Sequence, residues 1–103
     1  MRSVSDQTEH EIAEQVLQLL SNTALEPDPS CLSAACAIAR QPPHILQHEF
    51  RVATWVAIED VQQAQAAGKP RSIVARLNQR AISFARKWRD EYDGNRRPST
   101  ASA

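Results

Sequence analysis

The chain predicts an all-α fold, a compact four-helix domain with a short second helix and a long central third helix. Three observations lead there. Apolar residues recur at three- and four-residue spacing through separate segments. Alanine, leucine, glutamine and arginine dominate, and all four favour helices. The 103 residues contain only two glycines, and the six prolines fall outside the periodic segments. So few glycines argue against tight β-hairpins, phosphate-cradling loops and nucleophile elbows, which need positive φ or close backbone approach.

The first helix opens at Ser5 or Asp6, with Glu9 placed to complete a capping box. Ile12, Ala13, Val16, Leu17, Leu19 and Leu20 share an arc of about 160°, opposite Glu11, Glu14, Gln15 and Gln18, and the helix ends near Asn22. Glu9, Glu11 and Glu14 lie early in this helix, where its dipole favours acids. Thr23 to Pro29 reads as a linker whose Leu25 reaches the core. Asp28-Pro29 is a cap followed by a first helical residue, and the second helix runs to Arg40. Its body is small and apolar nearly all round, which predicts burial between neighbouring helices.

The central helix is expected from Pro43 to Gly68, stopped by Gly68-Lys69-Pro70. Its apolar face comprises Ile45, Leu46, Phe50, Val52, Ala53, Val56, Ala57, Val61 and Ala64. Glu49 and Asp60 fall within that arc, and each is expected to meet an arginine of the last helix. The last helix starts near Pro70 or Ser72 and runs to about Tyr92. Ile73, Val74, Leu77, Ala81, Phe84, Ala85, Trp88 and Tyr92 form its stripe. Residues 1–94 form one domain, and 95–103 is a polar tail without a burial pattern.

Hydrophobic residues make up 42% of the chain, enough for a modest core. Met1 to Glu11 lacks the basic-then-apolar pattern of a signal peptide, and no apolar run could span a bilayer, so a cytoplasmic location is expected. Net charge is zero but unevenly laid out: residues 1–61 hold nine acids and three bases, and residues 62–103 hold nine bases and three acids. Two halves of opposite sign attract each other, and the basic half also offers a surface to polyanions.

Cys31 and Cys36 on one helix sit beyond bridging distance and are expected as free thiols. With His44 and His48 they supply four zinc-type ligands, but the two thiols point about 140° apart on a helix and cannot converge on one ion. No metal or other cofactor is expected. Glu49 and Asp60 are about three turns apart, too far to act as a carboxylate pair. A non-enzyme is therefore predicted.

Two surfaces remain as candidate sites. On the central helix, His44, His48, Arg51, Trp55 and Glu59 follow helical spacing, a polar stripe carrying one tryptophan. Arg and Trp are frequent interface anchors, so the stripe suits a partner protein or a second copy of the chain. On the last helix, Arg71, Arg76, Arg80, Arg86, Lys87 and Arg89 supply cations that can neutralise successive phosphates, and Asn78 and Gln79 could reach base edges. Gly68-Lys69-Pro70 with Ser72-Ile73 and, later, Trp88 resembles helical modules of phage and plasmid replication proteins; the likeness is confined to that stretch and implies no role for any residue. Arg96-Arg97-Pro98-Ser99 resembles a basophilic kinase site. The leading expectation is a small non-catalytic interaction module working through the Trp55 stripe, with a nucleic-acid-binding accessory protein as the alternative.

Overall fold

A computed structural model describes residues 4–22, 27–40 and 49–91, with side-chain surroundings in the first segment given from Glu9 onward. It contains α1 (Val4–Ser21), α2 (Pro29–Ala39), α3 (Glu49–Ala66) and α4 (Arg71–Glu91), and no strand among the described residues. The expected all-α fold with four helices is what the chain adopts. Leu25, residues 41–48, Tyr92 and the tail at 95–103 lie outside the described residues.

The helix ends follow from local chemistry. Asp28 caps α2 from an extended conformation, its Oδ1 accepting from the Ser30 N–H at 3.1 Å, with Pro29 in the first turn. At the end of α3, Gly68 takes φ 72°, which glycine adopts without a Cβ clash. The Lys69 N–H then donates to the Ala64 carbonyl at 3.0 Å and the Gly68 N–H to Gln65 at 3.1 Å. These two bonds form a Schellman cap. Pro70 follows, and its carbonyl accepts from Ile73 and Val74 as α4 begins.

The four helices form a ring: α1 packs on α2 and α4, and α3 packs on α2 and α4. Bridging side chains give the directions. Glu9 meets Trp88 while Asn78 meets Leu20, so α1 and α4 are antiparallel. Asp60 meets Arg80 while Phe50 lies beside Lys87, so α3 and α4 are antiparallel. Arg51 meets Ala39 while Gln65 meets Pro27, which sets α2 against α3 in the same way. The result is an up-down-up-down bundle. The third helix is therefore one of four around a shared core, and it does not pack broadly on all three others as its length suggests.

Ala13, Val16, Leu17 and Leu20 of α1 are buried, as their arc predicts, with Leu32, Ala35, Cys36 and Ala39 of α2. Ser33, Ala34 and Ala37 are exposed, so α2 has an outer face and is not enclosed all round. On α3 the buried side is Arg51, Thr54, Ala57, Ile58, Val61 and Ala64. Val56, expected inside, is 43% exposed, and Val52 is only half-buried. The helix is rotated from its most apolar arc because Arg51 turns inward to a waiting carboxylate. On α4 the buried side is Val74, Asn78, Ala81, Ile82, Ala85 and Trp88, while Leu77 and Phe84 sit at the rim and Ile73 is exposed.

That carboxylate is Glu9, and it joins all four helices. The Arg51 Nη1 donates to Glu9 Oε1 at 2.7 Å, and the Trp88 Nε1 donates to Oε2 at 2.8 Å. Arg51 Nε also donates to the Ala39 carbonyl at 2.9 Å, so one guanidinium caps the end of α2 and neutralises a carboxylate of α1. The guanidinium lies 5.5 Å from the Trp88 ring centroid. Glu9 is thus a buried anchor rather than a surface acid answering the helix dipole. Asn78 caps α1 in a similar way, its Nδ2 donating to the Leu20 carbonyl at 3.3 Å.

Candidate functional site

The polar stripe on α3 divides once its side chains are placed. His44 and His48 lie outside the described residues. Arg51 is 4% exposed and fully engaged in the core, so it offers no surface contact. Trp55 lies half-buried on the α2 side of α3, its Nε1 donating to Glu59 Oε2 at 3.0 Å. The Arg40 guanidinium, at the end of α2, covers the ring at 5.4 Å from its centroid. Trp55 and Glu59 therefore help close the seam between α2 and α3. The sequence spacing is real, but a helical stripe wide enough to hold Arg51 and Glu59 reaches from core to rim.

Cys36 sits in the same seam. Burial, reinforced by the Glu59 carboxylate, raises its thiol pKa above the ordinary 9.0, and Arg40 only partly offsets this. Both cysteines are free thiols, Cys31 half-buried and Cys36 buried. Among the described residues no cluster of three or more His, Cys, Asp or Glu side chains could hold a metal ion.

The basic side of α4 is arranged differently. Arg71, Arg76, Arg80, Arg86 and Lys87 are all exposed, together with Gln79 and Ser83. Arg76, Arg80, Ser83 and Lys87 follow i, i+4, i+7, i+11 spacing and form one outer edge, about 16 Å from end to end at 1.5 Å per residue. Arg80 reaches Asp60 of α3 at 3.3 Å, but both side chains remain partly in solvent, so the pair is weak and exchangeable. Arg89 faces away from this edge and binds Glu14 of α1 at 3.2 Å and Asp90 at 3.1 Å. Burial lowers its pKa, yet the hydrogen bonds to Glu14 and Asp90 outweigh that and raise it overall. Asn78 is buried on the opposite side and cannot read bases, whereas Gln79 is open to solvent.

Two phenylalanines belong to this edge, although charge counting alone does not find them. The Arg80 guanidinium lies 5.5 Å from the Phe84 centroid, and the Lys87 ammonium lies 5.8 Å from Phe84 and 5.9 Å from Phe50. Both rings are half-buried in the groove between α3 and α4. The i, i+4 spacing of Arg80 and Phe84 was available in the sequence; the approach of Phe50 depends on how α3 packs. Glu49, expected to meet an arginine of α4, is exposed at the start of α3 without such a partner among the described residues.

No family model, characterised protein or solved structure matches the chain. A separate cavity of about 500 Å³, lined by Pro27, Asp28, Gln65, Lys69, Arg71 and Val74, lies where the α3–α4 turn meets the start of α2. It mixes both charge signs and sits apart from the outer edge of α4. Among the described residues no helix is long and apolar enough to cross a membrane.

Proposed function

We propose that this chain is a small non-catalytic accessory module that binds the phosphate backbone of nucleic acid through the outer edge of α4. The observation that carries this reading is the disposition of Arg76, Arg80 and Lys87. They lie on one solvent-facing edge, and among the described residues the only carboxylate bonded to any of them is the partly exposed Asp60. Cations on one helix edge neutralise successive phosphates and release condensed counterions, a sequence-independent source of affinity. Arg86 flanks the edge and widens the positive field. Because the whole chain is neutral, that field is local, extending over roughly a Debye length of 8–10 Å.

A partner protein docking on the Trp55 stripe has less support. One of its two anchors, Arg51, is inside the fold, and the other is covered by Arg40 and bonded to Glu59. The test is fluorescence anisotropy with a labelled oligonucleotide at low salt. The wild-type chain should bind, and Arg76→Gln combined with Arg80→Gln should weaken binding with helical circular dichroism intact. Trp55→Phe should leave the affinity unchanged. Failure of the wild type to bind any oligonucleotide at low salt would refute this assignment.

A further inference from the structure

We infer that the ligand of this surface is single-stranded nucleic acid, recognised by base stacking on Phe84 and Phe50 as well as by phosphate contacts. The inference rests on the backbone-binding reading above and specifies its ligand. It follows from the alternation of cations and rings along the α3–α4 groove. Lys87 lies against both phenyl rings, and Arg80 lies against Phe84 from the preceding turn. Phe84 and Phe50 each pack against the core and are half-buried beneath these cations, so an aromatic surface adjoins the charged edge.

Inside a duplex the base faces are stacked on one another and closed to protein rings. A single strand leaves them open, and stacking on an aromatic side chain tolerates any base because every base has a π-face. In the free chain, the cations rest on the ring faces. When a strand arrives, the Arg80 guanidinium and Lys87 ammonium can swing to phosphates, trading a weak cation–π contact for a charge-assisted one. That movement uncovers the rings for bases. Asp60, the carboxylate bonded to Arg80, must release it for the same step, and the solvent access of both side chains keeps that exchange cheap.

The experiment compares labelled oligothymidylate with a duplex of equal length at one salt concentration, using the full chain. Single-strand binding at least tenfold tighter than duplex binding is expected. Phe84→Leu should weaken single-strand binding about tenfold, within the range for one lost base–aromatic stack, while weak duplex binding is unchanged. Phe84→Tyr, which keeps the ring, should restore it. Equal or tighter duplex binding by the wild type overturns the inference without relying on any variant, and leaves backbone contact standing. Unchanged single-strand affinity in a folded Phe84→Leu chain overturns it as well. Absence of all oligonucleotide binding removes both this inference and the assignment beneath it.

Discussion

Arg51 illustrates how burial changes what a charged side chain is for. On the sequence it sits in a polar stripe with Trp55 and suggests an interface anchor; in the fold it bonds to Glu9 of α1 and the end of α2. Removing it strands the Glu9 carboxylate in the core, so Arg51→Met should destabilise the chain by about 3–5 kcal/mol. Urea unfolding followed by helical circular dichroism measures this. Glu9→Gln in the same background should recover part of the loss, because the two residues share one network. The ion pair was not legible beforehand because Glu9 and Arg51 are far apart in sequence, and local rules already supplied Glu9 with a dipole role. Cys36 gives a second residue-level test. Its raised pKa means that the folded state favours the protonated thiol. The stability this contributes is intact below the unfolded thiol pKa and is lost as pH rises through the higher folded value. In the native chain at mildly alkaline pH, iodoacetamide should therefore label Cys31 well before Cys36, as peptide mapping would show. Equal labelling rates would contradict the buried, acid-flanked setting of Cys36.

At the level of elements, most of the architecture was written in punctuation and periodicity. Asp28-Pro29 and Gly68-Lys69-Pro70 start and stop helices where expected because their chemistry is local: a carboxylate meets free N–H groups, and glycine accepts positive φ. Helix rotation was harder to see. Val52 and Val56 looked like core residues, yet the inward side of α3 is set by Arg51, Thr54 and Ile58, whose partners come from other helices. The same limit hid Asn78, a polar residue that is fully buried because it caps α1. The Gly68 cap can be tested directly. A Cβ there would meet nothing within 4 Å, so Gly68→Ala pays only the left-handed backbone penalty, about 1 kcal/mol. Gly68→Asn should cost less, since asparagine tolerates that region better. A thermal melt in which alanine and glycine were indistinguishable would contradict the Schellman cap.

On the scale of the whole molecule, the charge split between the two parts of the sequence serves two ends. Some of it helps close the bundle, through Arg89 with Glu14. The remainder stays outside, on the edge formed by Arg76, Arg80 and Lys87. The basic run was legible in the sequence, but which cations were structural was not: Arg89 and Arg80 differ only in which face of α4 they occupy. Gln79 and Asn78 are likewise adjacent in sequence and opposite in fate, one exposed and the other inside. The measurement that bears most directly on the proposed role is the salt dependence of oligothymidylate affinity. Log affinity should fall linearly with log salt, and Arg76→Gln with Arg80→Gln should reduce the steepness by about 1.4, the value for two lost phosphate contacts on a single strand. An unchanged slope in that folded double variant, or no binding by the wild type at low salt, would contradict a phosphate-binding edge on α4.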